Sequence, residues 1–291
     1  MSSTQVTKDW RNDPVYLGIA PHLLGPSLTQ RFSTDALGVT QAGLLPSLGV
    51  HGGLGLIAYG IARSMNRAEL KDYLWPTGMV LNAWWTAVGR HVYYDSNTTL
   101  GDTAGRLSYP QKALLGAVTA WGCRLAYRIV TRSLRRGKDD PRYEDVKTQP
   151  GFWNKALLSV FLPEAVFQAI ISLPFTLPFR TDYVQGMYGA PSKWAGRIRL
   201  AAVALFATGF TMETLADWHL DTHKSKVEEQ GASGLCQTGV WLIVRHPNYL
   251  GDALCHAAFP LWTLGTGLFT SWQVLGPVAN YVFLRAVGGD K

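Results

Sequence analysis

Three groups of residues in this chain have the types and spacing for chemistry. The first is Arg245-His246-Pro247-Asn248-Tyr249-Leu250-Gly251-Asp252, followed at a short distance by His256. Pro247 suits the first turn of a helix, so Asn248, Asp252 and His256 fall four apart on one helical face. A helix start with an arginine beside it is a ready anion site. Gly251 lets another backbone or a flat ring come close. A guanidinium, an imidazole, a carboxamide, a phenol and a carboxylate gathered in this way point to a ligand rather than to a structural polar stripe.

The second group is an arginine ladder, Arg124, Arg128, Arg132 and Arg136. Steps of four put all the side chains on one helix face. Arg132 and Arg136 suit an anchor whose long side chains snorkel to headgroups. Arg124 and Arg128 lie deeper, where such a row serves either as anchor or as a cradle for a phosphorylated ligand. The third group is Glu213 and Asp217, again four apart and just before His219. Their natural partners are the ladder arginines. That leaves a structural ion-pair role and a functional one, orienting arginines or binding ribose hydroxyls, both open.

The elements that must position these groups follow from composition. The chain has 291 residues, 47% of them hydrophobic and only 16% charged, with a net charge of +7. Soluble domains carry about 25% charge. This balance excludes a disordered polymer, and 30 Gly with 15 Pro exclude a coiled coil. Cys123, Cys236 and Cys255 are scattered, which argues against a disulfide scaffold. A mean hydropathy of +0.03 looks neutral, but the apolar residues are segregated. Residues 42–62 and 253–284 carry no charge, 75–89 and 113–123 are each uncharged up to an arginine, 156–179 hold only Glu164, and 200–212 run apolar to Glu213. Spanning a bilayer takes about 20 mostly apolar residues. Trp75, Tyr93, Tyr94, Trp153, Trp194 and Trp218 sit at block edges, as an interfacial belt would.

The expected fold is therefore all-α, a polytopic integral membrane bundle of about six to seven helices. Residues 1–41 form a polar N-terminal arm, and residues 42–110 hold the first transmembrane helices. Spans are expected near 42–62, 76–95, 111–131, 156–179 and 198–216, followed by two helices broken near Gly265–Gly267. The loop 132–155 is the most basic, which places it in the cytosol. Two crossings later, residues 217–246 return to the same side. Ionisable residues at membrane depth are costly and mark function, so the three groups gain weight from this setting.

Other chemistries find little support. His219, Asp221 and His223 could form a small metal site, but seven His without a histidine box are too few for a membrane di-iron enzyme, and no metal is expected. No GxGxxG follows a strand-like segment, and no GxxxxGK[ST] or GxSxG occurs. The basic balance sits in juxtamembrane loops, so nucleic acid is not the implied partner. Membrane lipids are.

The motif at 245–252, preceded by Gly239-Val240-Trp241, resembles the signature of membrane steroid and sterol reductases. Residues 124–153, with Asp140-Pro141-Arg142-Tyr143, and residues 204–219, with Glu213-Thr214-Leu215-Ala216-Asp217-Trp218-His219, resemble the steroid 5-alpha-reductase C-terminal-like DUF1295 group. The likeness covers roughly residues 111–285. It implies NADPH-dependent reduction of a carbon–carbon double bond in a lipophilic steroid, sterol or enone-like substrate, in the endoplasmic reticulum, with the cofactor side facing the cytosol. On this reading residues 111–291 are the reductase-like domain and residues 42–110 the substrate side. Arg245, His246, Asn248, Tyr249 and Asp252 would line the nicotinamide and ribose end. Arg124, Arg128 and Arg142 would meet phosphates. Glu213, Asp217 and Lys224 would complete the polar wall. Tyr249 is the expected proton donor, with Tyr93, Tyr94, His91 and Glu164 as further candidates. Membrane methyltransferases of the isoprenylcysteine and phospholipid type share a similar RHPxY, so a SAM-dependent methyltransferase is the alternative. A non-catalytic membrane protein retaining the fold is a third.

Overall fold

The computed structural model, which describes residues 36–180, 192–230 and 234–288, turns the uncharged blocks into helix, with no β-strand among the described residues. Helix α1 (Ala36–Met65) opens six residues before the expected span, so the last part of the expected arm is already helical. The rest of that arm lies outside the described residues. Asn66 ends α1 in the left-handed conformation, φ 52°, which asparagine tolerates better than most residues. Helix α2 (70–94) is an α-helix, Leu70–Trp84, then a π turn, Trp85–Gly89, then a last α turn, Arg90–Tyr94. Short α3 (Leu100–Arg106) starts at a capping box between Thr99 and Asp102.

The arginine ladder lies on α4 (Tyr109–Arg136). The Ser108 N–H donates to Gln111 Oε1 at 3.0 Å. Gly137, at φ 67°, stops the helix and sends its N–H back to the Ser133 carbonyl. The basic loop then folds as α5 (Pro141–Lys147), capped by Asp140. Helix α6 (Phe152–Ile171) is shorter than the expected 156–179 span. Pro174 and Pro178 break it into two 3-10 turns, Leu173–Phe175 and Leu177–Phe179.

Helix α7 (Ser192–Gln230) has 39 residues and runs well past the expected end near 216. Helix α8 (Pro247–Thr266) starts with Pro247 in its first turn, as expected. Gly267, at φ 80°, provides the break before α9 (Leu275–Gly288). Among the described residues, α1, α6 and α7 are long and apolar enough to cross a membrane.

The core joins α2, α4, α8 and the turns after α6. Met79, Trp121 and Phe175 are fully buried there, with Phe259 2% exposed. Trp75 is not an interfacial residue: it is buried and stacks on Phe283, ring centroids 4.2 Å apart. Tyr93, Trp194 and Trp218 are exposed, as a belt requires. Helices α7 and α8 meet through bare backbone. A Cβ on Gly251 would lie 2.6 Å from the Gly209 carbonyl oxygen and 2.7 Å from the Glu213 nitrogen. Close approach of this kind is what glycine permits between membrane helices, and it brings the start of α8 against the middle of α7.

Candidate functional site

The arginine ladder meets an acidic one. Glu213, Asp217 and Asp221 repeat every four residues along α7 and face α4. Arg124 pairs with Glu213 and, at 2.8 Å, with Asp217. Arg128 reaches Asp217 at 3.3 Å and also pairs with Asp221. Of the two open roles, the ion-pair role is the one these side chains fill. Arg124 is accordingly turned to the carboxylates, and it does not line the cavity described below.

The lower rungs engage other elements. Arg136 contacts Glu69 at 2.8 Å and Asp140 at 2.9 Å. Arg132 is 41% exposed at its side chain, and its contact with Asp140 is long, 3.9 Å. Asp139 accepts backbone N–H groups from Ala68 and Glu69 at 2.8 and 2.9 Å, and Lys147 lies 2.6 Å away. Burial works against ionisation of Asp140, but hydrogen bonds from the Arg142 side chain and backbone, with the charges of Arg142 and Arg136, outweigh it and hold the carboxyl down at about 2. The loop after α4 is thereby pinned to the start of α2.

That pinning brings in groups that sequence reasoning missed. Arg142 bridges Asp72 at 2.8 Å and Asp140 at 3.0 Å. The Tyr143 hydroxyl donates to Asp72 at 2.8 Å. Lys71 contacts Glu164 at 2.9 Å and Asp72 at 3.1 Å, with its ammonium 5.2 Å from the Tyr143 ring centre. Burial disfavours the Lys71 charge, yet Glu164 and Asp72 more than offset this and raise its pKa above the ordinary lysine range. Burial and Asp72 together raise the Tyr143 phenol, keeping it a donor rather than a phenolate. Lys71-Asp72 was legible as a charged pair just ahead of an uncharged block. Nothing in the sequence placed it beside Tyr143.

Opposite lies the start of α8. Asp252 is 4% exposed and doubly held: Trp121 Nε1 donates to it at 2.8 Å and Asn280 Nδ2 at 2.9 Å. His246 stacks on Tyr249 at 5.4 Å. His256 shares the face of Asp252, as the spacing predicts. It is buried edge-on against Trp121, 4.8 Å away.

These walls enclose one cavity of about 200 Å³. Of the candidate residues, Arg128, Arg142, Glu164, Glu213, Asp217, Asn248, Tyr249 and Asp252 line it, together with Lys71, Asp72, Arg132, Tyr143 and the rings of Trp75 and Phe283. Lys224 and Arg245 are exposed residues outside its lining, as is the half-buried His246. The reason is geometric: α7 continues as helix to Gln230 and carries Lys224 past the cavity, while Arg245 and His246 precede the first turn of α8. Asn248 Oδ1 and Glu213 Oε2 are buried without a hydrogen-bond partner. The cavity thus combines an amide, a phenol and carboxylates at one wall with arginines at another. Such a set can orient a polar ligand and place a proton donor next to it.

No match is found among curated proteins or among solved structures. A family model, "Protein of unknown function (DUF1295)", matches residues 58–291. The match begins well before the resemblance at 111–285 and takes in the helix that carries Lys71 and Asp72. Covering most of the chain, it establishes that the protein belongs to the DUF1295 family.

Proposed function

We propose that this protein is a membrane-embedded, NADPH-dependent reductase of a carbon–carbon double bond in a lipophilic steroid, sterol or enone-like substrate. On this reading it crosses the endoplasmic reticulum membrane about six to seven times and turns its cofactor side to the cytosol. The observation that carries the proposal is the meeting of Asn248, Tyr249 and Asp252 with Arg128, Arg132 and Arg142 around one cavity. The donor set fits the cofactor's reactive half. The Asn248 carboxamide has a buried acceptor oxygen without a partner, suited to the nicotinamide amide, and the arginines suit phosphate. Arg132 replaces Arg124 as a phosphate candidate, because Arg132 lines the cavity and Arg124 does not.

Bound there, NADPH supplies a hydride to an electron-poor alkene carbon. The chain's own part is a proton and a geometry. Tyr249 donates the proton from its hydroxyl to the neighbouring carbon or polarises the conjugated carbonyl. Glu213 and Asp217 hold Arg124 and Arg128 in place and so fix the cationic wall. Trp75 and Phe283 close the cavity with apolar surface, which strengthens these polar contacts.

NADPH should raise the thermal midpoint of the purified full-length protein, and Asn248→Ala should remove most of that rise. No rise with the unaltered protein would sink the proposal. A second reading has one observation in its favour. Five carboxylates and four cationic side chains line the cavity, a balance better suited to a sulfonium than to a polyanion. Stabilisation by S-adenosylhomocysteine and not by NADPH would point to the methyltransferase.

A further inference from the structure

The far end of α2 lies beside a second arginine, Arg180. Arg90 lies roughly 28 Å along the helix from Lys71, at about 1.5 Å per residue, a distance close to the thickness of a bilayer's hydrocarbon core. Arg90 and Arg180 are 5% and 6% exposed. The Arg90 Nε donates to the Thr86 carbonyl at 3.0 Å and its Nη2 to the Phe179 carbonyl at 3.4 Å, which fixes it next to Arg180. All three guanidinium nitrogens of Arg180 are shut off from solvent without a hydrogen-bond partner. Among the described residues, the charged and titratable groups acting on Arg180 are Arg90 and Tyr94. Those acting on His91 are Arg90, Arg180 and Arg106. Asp95 and Asp102 interact with Arg106 and accept hydrogen bonds from Thr98, Asn97 and Thr99.

The contrast with the cavity end is chemical. There, Arg124, Arg128, Arg136 and Arg142 each contact a carboxylate. Here, the Arg180 guanidinium is buried with none of its nitrogens hydrogen-bonded. A buried charge is costly unless it is paired, and an arginine fork matches a tetrahedral oxyanion with two parallel hydrogen bonds. The location suits a headgroup as well as a solute. Trp85, Tyr93 and Tyr94 form a chain of ring contacts at 6.0 and 5.3 Å beside the arginines, and aromatic residues of this kind gather at membrane interfaces.

We propose that Arg180, with Arg90 beside it, binds one phosphate-class oxyanion at the end of the bundle opposite the polar cavity, supplied either by a lipid headgroup or by inorganic phosphate. The site is independent of the reductase reading. It is tested on the full-length protein in a phosphate-free maltoside detergent. The thermal midpoint is measured with inorganic phosphate against chloride at matched ionic strength, and with dihexanoyl phosphatidic acid against dihexanoylglycerol. A rise of a few degrees with inorganic phosphate identifies the free anion as sufficient. A rise with phosphatidic acid alone identifies the headgroup. Both support the site, and no rise with either overturns it. Arg180→Met should abolish the rise, whereas a rise kept at full size in that variant also overturns the proposal. Should Arg180→Met fail to fold, Arg180→Lys keeps the charge and loses the fork. It should raise the half-saturating concentration at least tenfold, and an unchanged value counts against the site.

Discussion

Helix α7 is held on two sides by opposite means. Against α4 it is joined by charge: Arg124 and Arg128 interlock with Glu213, Asp217 and Asp221. Against α8 it is joined by the absence of side chains, with Gly209 and Gly251 letting the backbones touch. Long flexible side chains tolerate small changes in spacing, whereas a glycine contact fixes a distance. The position of Asn248 and Asp252 relative to Glu213 is therefore set by the glycine side, and the charge of the cavity wall by the ladder side.

The sharpest way to break this contrast is Gly251→Val. The added atoms meet backbone of α7, which cannot turn aside, so the cost should exceed the roughly 1–3 kcal/mol of ordinary over-packing. The expected outcome is loss of the folded monodisperse protein in size-exclusion chromatography. A variant that folds and still shows the NADPH response would refute the claim that this contact sets the site.

The ladder side should yield less abruptly. Arg124→Met leaves Glu213 and Asp217 short of a partner, a loss of about 3 kcal/mol for a broken buried pair. Replacing Arg124 and Glu213 together by Met and Leu should recover most of it, because the uncompensated charge is gone. Denaturation midpoints of the single and double variants decide the matter, and equal losses in both would show that packing rather than charge joins the two helices.

The smallest effect should come with pH, at the outer end of the arginine ladder, where Asp140 meets Arg136. The folded Asp140 carboxyl titrates near 2, below its ordinary 3.8. A depressed carboxyl contributes its full stability above the ordinary value and loses it as pH falls towards the folded one. The midpoint of the unaltered protein should thus fall between about pH 4 and pH 2, and Asp140→Asn should flatten that fall. Identical profiles for the two proteins would remove Asp140 from the account.

Much of the scaffold was legible because it depends on local pattern. Uncharged runs gave the helices, Pro247 the start of α8, and Gly267 the break before α9. The three polar groups were found by residue type and spacing, and the cavity gathers members of each: Arg128 and Arg132, Glu213 and Asp217, and Asn248, Tyr249 and Asp252. Other parts depend on contacts between distant segments. Lys71 and Asp72 meet Arg142 and Tyr143 across some 70 residues, and no periodicity encodes that meeting. Arg124 was assignable to a ligand or to a carboxylate until α4 and α7 were seen side by side. Lys224 and Arg245 carried suitable charge at a suitable point in the chain, but the directions of α7 and α8 take them past the cavity. Trp75 stood at a block edge like an interfacial residue, and only the stacking on Phe283 identifies it as core.

The π turn at Trp85–Gly89 gives α2 a property that an unbroken helix lacks. One extra residue in a helix advances everything beyond it by about 100°. The Lys71 end and the Arg90 end therefore have a relative bearing that an unbroken α-helix of the same length would not give them. Removing a single residue within the turn would re-aim Arg90 while leaving Lys71 and Asp72 where they are. The helix works like a shaft with a coupling in it, so that two faces of the bundle, a membrane thickness apart, can each be aligned to its own partner.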